Sequence, residues 1–331
     1  MTRGPWLVTG ASGFLGRHLL QILQADRRLP RAIALVRDRD AWEAMEWTRS
    51  LDRVDVLEGQ VATLAEPAGV SGIFHLAALV RHARKNREEV YRTNIDDTLA
   101  MVRLAARARC RLLFVSTSGT VGCFREPGSI ADEDSPHCAA EVARWPYYDS
   151  KVKAERSARS LADELGVDLI IARPPVLLGP GDHRFRSVVH VTRFLEGKVP
   201  FVIRGGMHFA DVRDVAGALV RIMELPRARP VYHLPGTVCS IEEFYGMTAA
   251  VSGRKPPSRV VPYRPALALS RVSARLGFHL LPEPSLIEMA SHHWAMRSKY
   301  SEEELGYRPR PGLETLRDTV EWVRSQPRSR A

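Results

Sequence analysis

Tyr147 and Lys151 are residues whose types and spacing could transfer a proton. They stand four positions apart, so a helix through this segment would place both side chains on one face. A free tyrosine titrates at about pH 10, and a positive charge beside it stabilises the phenolate and lowers that pKa. The pair is therefore a candidate general acid and base, the plainer alternative being a chance pair on an amphipathic helix.

Hydroxyl groups form a second chemical feature. Ser116, Thr117 and Ser118 directly follow an apolar run at residues 112–115, which predicts a buried strand. A hydroxyl at the end of a strand can donate a hydrogen bond to a substrate oxygen on which negative charge develops. All three residues are candidates for that function.

A third feature is a glycine-rich segment near the start of the chain. Gly10, Gly13 and Gly16 recur every third residue between an apolar run at residues 6–9 and a helical pattern beginning at Leu15. In this context glycines permit a tight turn, close approach of a pyrophosphate and close packing of helix on strand. The sequence predicts a dinucleotide-binding turn, the alternative being an ordinary glycine-rich turn. The residues expected to contact the dinucleotide here are Gly10, Ser12, Gly13, Phe14, Leu15 and Gly16.

An alternation of strands and helices must position these groups. The predicted strands are residues 6–9, 32–36, 54–57, 73–76, 111–116 and 169–172, and the predicted helices include residues 39–48, 88–108 and 147–165. Such alternation is typical of an α/β fold with a doubly wound parallel sheet of the Rossmann type. We expect a dinucleotide-binding domain mainly in residues 1–178 and a smaller C-terminal substrate-binding lobe mainly in residues 179–331. Within that lobe, residues from about 208 to about 235 are expected to return to the Rossmann core.

These three features, in this arrangement, make the chain resemble the extended short-chain dehydrogenase/reductases of the NAD-dependent epimerase/dehydratase superfamily. Segments at residues 131–136, 194–200 and 304–309 further resemble the dihydroflavonol-4-reductase and 3β-hydroxysteroid dehydrogenase-like branch. The resemblance extends over residues from about 5 to about 325.

The resemblance implies a role for each candidate in a reaction of carbonyl groups. Tyr147 would be the acid and base that protonates the developing alkoxide, and Lys151 would stabilise the phenolate and hold the nicotinamide ribose. Ser118, the last of the three hydroxyl residues, would hydrogen-bond the substrate oxygen. Pro174 and Val176 lie in a segment similar to the family's Arg-Pro…Gly-Pro stretch and would contact the nicotinamide.

The ends of the second, third and fourth strands would hold the adenosine half of the cofactor. Arg37 ends the second strand, and its guanidinium suits a 2′-phosphate, so NADP(H) is the predicted cofactor. NAD(H) is the alternative, because Asp38 and Asp40 lie beside that arginine. Gln60 stands where the family has an aspartate at the adenine. The remaining predicted cofactor contacts are Val61, Ala77, Ala78 and the catalytic candidate Tyr147 itself.

The branch resemblance implies an NADPH-dependent reductase that interconverts a ketone and a secondary alcohol on a bulky, largely apolar small molecule. The main alternative is an NAD-dependent nucleotide-sugar epimerase or dehydratase, which uses the same tyrosine and lysine, and Arg37 argues against it. A more distant alternative is a non-catalytic nucleotide-sensing scaffold, against which the presence of Tyr147 and Lys151 argues. The sequence leaves open the substrate, the direction of reaction and the oligomeric state, with a homodimer compatible.

Composition restricts the binding partners and the cellular location that the sequence predicts. The net charge of +10 comes from basic residues spread along the chain, so nucleic acid is not a predicted partner. Four scattered cysteines predict reduced thiols and no metal site. A first strand close to Met1 and the lack of a long apolar run predict a cytoplasmic protein without a signal peptide or membrane span. The apolar stretch at residues 265–281, interleaved with arginines, is expected to roof the substrate pocket, with contact to a membrane surface as the alternative.

Overall fold

Strands and helices alternate through the described residues, which in the computed structural model are 4–65, 67–81, 87–276 and 282–327. The strands are β1 (Trp6–Thr9), β2 (Ala32–Val36), β3 (Val54–Glu58), β4 (Gly72–His75), β5 (Arg111–Val115), β6 (Cys123–Phe124), β7 (Leu169–Arg173), β8 (Val176–Leu178), β9 (Gly206–Asp211), β10 (Val231–His233), β11 (Thr237–Ser240) and β12 (His293–Trp294). The helices are α1 (Phe14–Ala25), α2 (Arg39–Glu43), α3 (Arg87–Tyr91), α4 (Asp97–Ala108), α5 (Ala139–Val142), α6 (Pro146–Leu165), α7 (Val189–Leu195), α8 (Val212–Glu224), α9 (Ile241–Ser252), α10 (Tyr263–Arg275), α11 (Pro284–Ala290), α12 (Ser301–Leu305) and α13 (Gly312–Ser325). Shorter elements are the 3-10 turns Glu46–Thr48, Val61–Thr63 and Ser118–Thr120 and the π-helical turn Arg92–Asp96.

Among the described residues, the central sheet has seven parallel strands in the order β10-β7-β5-β4-β1-β2-β3. The strand order reverses at β1, which lies between β2 and β4. In such sheets a ligand binds outside the carboxyl ends of the strands, next to the point of reversal. The predicted doubly wound parallel sheet of the Rossmann type is confirmed, and the six predicted strands agree with the observed ones to within one residue at each end.

Side chains alternate between the two faces of the central sheet, and each face joins its own buried core. Trp6 and Val8 of β1 join the core that includes apolar residues of α1 and α8. Leu7, between them, faces the other way and joins the core that includes residues of α4 and α6. Helices therefore cover the sheet on two sides, and its carboxyl edge is left for the loops.

The predicted helix over residues 88–108 is interrupted by the π-helical turn around Asn94. The Asn94 side chain accepts a hydrogen bond from the Leu79 N–H at 2.7 Å and donates one to the Ser150 hydroxyl at 2.9 Å. The irregular turn thus ties the loop after β4 to α6, a long-range contact that helical periodicity does not reveal. The predicted helix over residues 39–48 likewise divides into α2 and a following 3-10 turn.

The residues after β8 build a second core and also return to the first. Phe194, Phe209, Phe244 and Leu316 cluster where α7, α9 and α13 pack beside β8 and β9. By contrast, α8 packs against α1, and β10 pairs with β7 at the edge of the central sheet. The chain therefore crosses between the two cores more than once, and the domain boundary at residue 178 stays a prediction.

Candidate active site

Glycines shape the turn between β1 and α1. Gly10 has a φ of +69°, and a Cβ atom placed on it would lie 2.7 Å from the Ala77 nitrogen. Any other residue there would be strained and would collide with the loop after β4. The Gly13 N–H donates to the Gly10 carbonyl at 2.9 Å and closes the turn.

Helix α1 begins directly behind this turn. Gly13 is its N-cap and supplies no side-chain hydrogen bond to the amides of the first turn. A Cβ atom on Gly16 would collide with the Gly10 carbonyl oxygen, so glycine is needed for the helix to approach this closely. Phe14 and Leu15 are the first two residues of the helix. This amino end, with its open backbone cradle, fits the diphosphate of a dinucleotide.

The residues predicted to hold the adenosine lie along the same edge. Arg37 directly follows β2 and is exposed. Gln60 is exposed and precedes the 3-10 turn that Val61 begins after β3. Ala77 and Ala78 follow β4, and the Ala77 N–H donates to the hydroxyl of β1's last residue at 3.2 Å. The structure thus brings these residues to the edge where the glycine turn lies, and their contacts with a cofactor stay a prediction.

His75, at the end of β4, is held inside the protein. Its Nδ1 lies 2.8 Å from the Thr9 hydroxyl and its Nε2 lies 3.2 Å from the Thr98 hydroxyl. Burial lowers the pKa of His75 to about 3, with a smaller contribution from the Lys151 charge. The imidazole is therefore neutral at physiological pH, and its contacts connect two strand ends with α4.

Lys151 is buried at the carboxyl edge of the sheet. Its Nζ donates to the Val115 carbonyl at 2.9 Å and lies 4.5 Å from the centroid of the Phe114 ring. Both partners belong to the end of β5, so the ammonium is fixed where that strand ends. Burial lowers the pKa of Lys151 to about 7, while the charge of Glu155, one helical turn further on, raises it.

Tyr147 lies one turn before Lys151 on the same helix. Burial raises its pKa above the usual range of a phenol, so the chain alone keeps Tyr147 protonated at neutral pH. That is the state required of a proton donor to a carbonyl oxygen. The ring of Tyr147 packs edge-on against the ring of Tyr148, with centroids 5.2 Å apart.

The three hydroxyl residues after β5 differ in their surroundings. The Ser118 N–H donates to the Pro174 carbonyl at 2.8 Å, which joins the loops after β5 and β7. The Thr117 hydroxyl accepts a hydrogen bond from the Gly119 N–H at 3.3 Å. Ser118 and Thr117 both line the neighbouring cavity. Ser116 is buried and is not among the lining residues. Thr117 and Ser118 can both donate a hydrogen bond into the cavity, and Ser118 as the hydroxyl that meets a substrate stays a prediction.

A cavity of about 290 Å³ lies between this edge and the C-terminal lobe. Ser118, Tyr148 and Val176 line its reactive end. Most of its wall is aliphatic or aromatic, and it includes Val189, Val199, Phe201, Ile241, Phe244, Leu286, Met289 and Trp294. Basic side chains on and after α7 also contribute to it, namely His190, Arg193 and Lys198. A pocket of this kind suits a bulky apolar molecule.

Adjacent tyrosines face different parts of the site. The described lining residues include Tyr148 but not Tyr147. The Tyr148 ring lies so close to Gly119 that a Cβ atom there would collide with it, and its centroid is 5.0 Å from that of Trp294. Tyr147 shares a helix face with Lys151, whereas Tyr148 faces the cavity, so the choice of acid between them is a matter for experiment.

Sequence analysis missed a buried charge network beneath α6. Glu155 is 1% exposed and accepts a hydrogen bond from Arg173 Nε at 3.2 Å and one from the Thr120 hydroxyl at 3.0 Å. His137 Nε2 lies 2.8 Å from its other oxygen. Burial by itself raises the pKa of Glu155, but the Arg173 charge and these hydrogen bonds hold it well below its usual range. The four-residue spacing from Lys151 to Glu155 places both residues on one helix face and could have indicated this network from the sequence.

Residues 265–281 were expected to roof the cavity, but the described part of this stretch lies elsewhere. Residues 265–276 do not line the cavity. Instead, Leu267 of α10 packs with Ile203 and Ile287, which are lining residues. Through this contact α10 forms an outer layer behind the cavity wall, while its Leu269 and Val272 side chains are exposed. Residues 277–281 of the same stretch lie outside the described residues.

The sequence model of the NAD dependent epimerase/dehydratase family matches residues 6–234. This match covers more than half of the chain, and the parallel sheet and glycine turn agree with it. The chain belongs to this family, within the extended short-chain dehydrogenase/reductase superfamily, and the predicted membership is confirmed. It is an NAD(P)-dependent oxidoreductase that acts on carbonyl and alcohol groups.

Curated relatives carry reductase names. The chain is 26% identical over 336 residues to a putative dihydroflavonol 4-reductase of Synechocystis sp., covering 97% of this chain and 94% of the relative. It is 26% identical over 325 residues to the 4-hydroxy-2-methyl-3-oxo-4-farnesyl-3,4-dihydroquinoline-1-oxide ketoreductase of Stigmatella aurantiaca, covering 94% and 95%.

Solved structures share the fold over nearly the whole chain. The crystal structure of gox2253 has a TM-score of 0.81 and 26% identity, covering 97% of this chain and 98% of the other. DesIV, a dTDP-glucose 4,6-dehydratase of Streptomyces venezuelae with NAD and TYD bound, has a TM-score of 0.74 and 23% identity, covering 97% of each chain. At 23% identity, the likeness to DesIV shows the fold alone.

Within the described residues, no helix is long and apolar enough to cross a membrane. No group of three or more His, Cys, Asp or Glu side chains in that part of the chain is arranged to hold a metal ion. The four cysteines all lie in the described part of the chain, and none of them forms a disulfide bond there.

Proposed function

We propose that the protein is an NADPH-dependent reductase that interconverts a ketone and a secondary alcohol on a bulky, largely apolar small molecule. The observation that carries this proposal is the buried Lys151 on the Tyr147 face of α6, fixed at the end of the strand from which Ser118 leads into a mostly apolar cavity. Arg37, exposed at the end of β2, supports NADPH over NADH. The reductase names of the curated relatives support the reaction. A cytoplasmic location and a homodimer stay predictions from the sequence.

Residues along the carboxyl edge would hold the cofactor. The glycine turn and the start of α1 would bind the diphosphate, and Arg37 would bind the 2′-phosphate. Lys151 would hold the nicotinamide ribose, while Pro174 and Val176 would contact the nicotinamide. Bound there, the nicotinamide ring would supply a hydride to the carbonyl carbon of the substrate.

The protein residues act on the oxygen of the reacting carbonyl. The Tyr147 hydroxyl donates its proton to that oxygen as negative charge develops there. The Lys151 ammonium stabilises the phenolate that remains, and the Ser118 hydroxyl donates a hydrogen bond to the same oxygen. In the direction of oxidation, the Tyr147 phenolate accepts the proton of the alcohol.

The wall of the cavity favours an apolar substrate over a nucleotide sugar. A nucleotide sugar needs polar partners for its hexose and cations for its diphosphate. Arg193 and Lys198 supply two cations, but most of the other lining side chains are aliphatic or aromatic. Burial of apolar surface stabilises a bound ligand by about 25 cal/mol per Å². A nucleotide-sugar epimerase or dehydratase is the second candidate, because the family and the fold also include such enzymes.

The test compares Tyr147→Phe with Tyr148→Phe, a matched pair of adjacent phenols. Consumption of NADPH is followed with a panel of aromatic, steroidal and 3-oxoacyl ketones. Tyr147→Phe should lower kcat about a hundredfold or more and leave the Kd of NADPH unchanged, because it removes only the proton donor. Tyr148→Phe should change KM and leave kcat within about tenfold.

Two outcomes would contradict the proposal. If Tyr148→Phe loses kcat and Tyr147→Phe retains it, the acid is the tyrosine that faces the cavity. If no ketone is reduced while a UDP- or dTDP-hexose is converted without net consumption of NADPH, the protein is the nucleotide-sugar enzyme.

A further inference from the structure

The loop between β8 and α7, residues 179–188, brings a cation to the glycine turn. Arg184 Nη2 donates a hydrogen bond to the Ser12 hydroxyl at 3.2 Å. The two residues are 172 positions apart, and Arg184 belongs to no feature that the sequence analysis selected. The contact therefore joins the C-terminal half of the chain to the predicted cofactor site.

The loop is anchored on the side of α1. His18 Nε2 lies 2.8 Å from the Pro180 carbonyl oxygen, and Arg17 Nη1 donates to the Gly181 carbonyl at 3.3 Å. Gly181 has a φ of +98°, which favours glycine at this bend. These contacts fix the start of the loop over the first turns of α1, only a few residues before Arg184.

The other end of the loop is fixed by Asp182. Its carboxylate is buried, with 2% of the residue exposed, and accepts hydrogen bonds from the Ser187 and Val188 N–H groups at 2.7 and 3.1 Å. These bonds stabilise the start of α7. The acidic side chain nearest to Arg184 in the loop is thus already occupied.

Positive charge accumulates around Arg184. Burial lowers its pKa, and the like charges of Arg186 and Arg37 lower it further. The opposing effect comes from Asp182, whose carboxylate is engaged at α7. The charges of Arg37 and Arg184, from opposite halves of the chain, therefore act on each other, and an anion bound between them would relieve their repulsion.

We infer that Arg184, together with Ser12 and Arg37, forms the binding site for the 2′-phosphate of the cofactor's adenosine ribose. This inference rests on the proposed NADPH-dependent function. The ribose of a bound dinucleotide lies near the end of the second strand, where Arg37 stands. A phosphomonoester offers three acceptor oxygens, which two guanidinium groups and one hydroxyl can satisfy. Arg184 is thus a specificity-determining residue supplied by the loop that leads to the substrate cavity.

The experiment measures the Kd values of NADPH and NADH for the full chain and its variants. Adenosine 2′,5′-bisphosphate and 5′-AMP serve as fragments that differ only in the 2′-phosphate. Arg184→Ala should weaken NADPH and the bisphosphate by about tenfold and leave NADH and 5′-AMP within about threefold. Arg184→Lys should recover part of the loss, because a lysine keeps the charge without the planar fork. Arg186→Ala is the matched control on the same loop, and it should weaken NADPH by less than about threefold.

Several outcomes would overturn the inference. Equal weakening of NADPH and NADH by Arg184→Ala would place Arg184 at the diphosphate, and no weakening of either would remove it from the cofactor site. If Arg184→Ala does not fold, Ser12→Ala tests the same site and must weaken NADPH selectively. A wild-type protein that binds NADPH and NADH equally contradicts the proposed NADPH dependence itself, whereas a preference that Arg184→Ala leaves undiminished contradicts only this inference.

Discussion

The cofactor edge and the substrate lobe position their groups by different means. At the edge, backbone geometry decides: Gly10 adopts a left-handed conformation and Lys151 is held by a strand carbonyl. In the lobe, the cavity is bounded mostly by apolar side chains such as Phe244 and Leu286, whose packing needs no directional bonds. Directional constraints demand particular residue types, whereas many apolar combinations fill the same wall. The comparison explains why motifs identify the cofactor site and leave the substrate open.

The largest expected effect tests whether the buried ion pair of Glu155 and Arg173 stabilises the cofactor half. Glu155→Gln removes one partner of a buried ion pair and leaves Arg173 without its counter-charge. It should lower the free energy of unfolding by about 3 kcal/mol or more, measured by urea denaturation. Glu164→Gln, an exposed site on the same helix, should change it by less than about 0.5 kcal/mol. Similar small values for both variants would contradict a stabilising network.

The pH dependence of stability sharpens the same point. The pKa of Glu155 is held below its usual range in the folded protein, so its contribution is present above the pKa of the unfolded chain, about 4.3. That contribution is lost as the pH falls from there through the folded pKa. Between about pH 6 and about pH 3 the wild type should therefore lose more stability than Glu155→Gln. Parallel curves for the two proteins would show that Glu155 titrates normally.

Cofactor choice is expected to depend strongly on Arg37 at the edge. NADPH should bind the wild type at least about tenfold more tightly than NADH, and Arg37→Asp should reverse that preference, a total change of about a hundredfold. Arg39→Ala is the control, since the Arg39 guanidinium is already bonded to the Val56 carbonyl at 2.7 Å. Its preference should stay within about threefold of the wild type. Equal Kd values for the two cofactors in the wild type would remove Arg37 from the site.

The smallest expected effect concerns the lobe, where the affinity for substrate should rise gradually with the apolar size of the substrate. In a homologous series of ketones, each added methylene that enters the cavity should lower KM about fourfold, corresponding to about 0.8 kcal/mol, until the cavity is full. The series is measured at saturating NADPH, with kcat recorded separately. A KM that does not change with chain length would show that the substrate binds elsewhere.

The sequence was sufficient for features defined by local backbone demands. The glycine turn, the central strands and the Tyr147–Lys151 spacing depend on residues close together in the chain, and the structure shows the strands and the turn where they were predicted. Contacts between distant residues were missed, including Arg173 with Glu155 and Arg184 with Ser12. Neither leaves a periodic pattern, because a single ion pair or hydrogen bond constrains only two positions.

The position of α10 was also mispredicted for a physical reason. An amphipathic pattern shows only that one side of a helix packs against other residues. Leu267 of α10 packs against cavity-lining residues on the side of the wall away from the cavity. Sequence periodicity cannot distinguish a cavity wall from the layer that supports it. The site roles of Ser118, Tyr147 and Lys151 stay predictions that the variants above test.

The late return of α8 and β10 to the central sheet affects the synthesis of the protein. Until residue 233 has been added, β7 has an open edge and α1 lacks the helix that packs against it. Nascent chains with unpaired edges and uncovered apolar helices are prone to aggregate. The cofactor half therefore cannot complete its core on the ribosome from its own residues, and it must wait for the first third of the lobe to be translated.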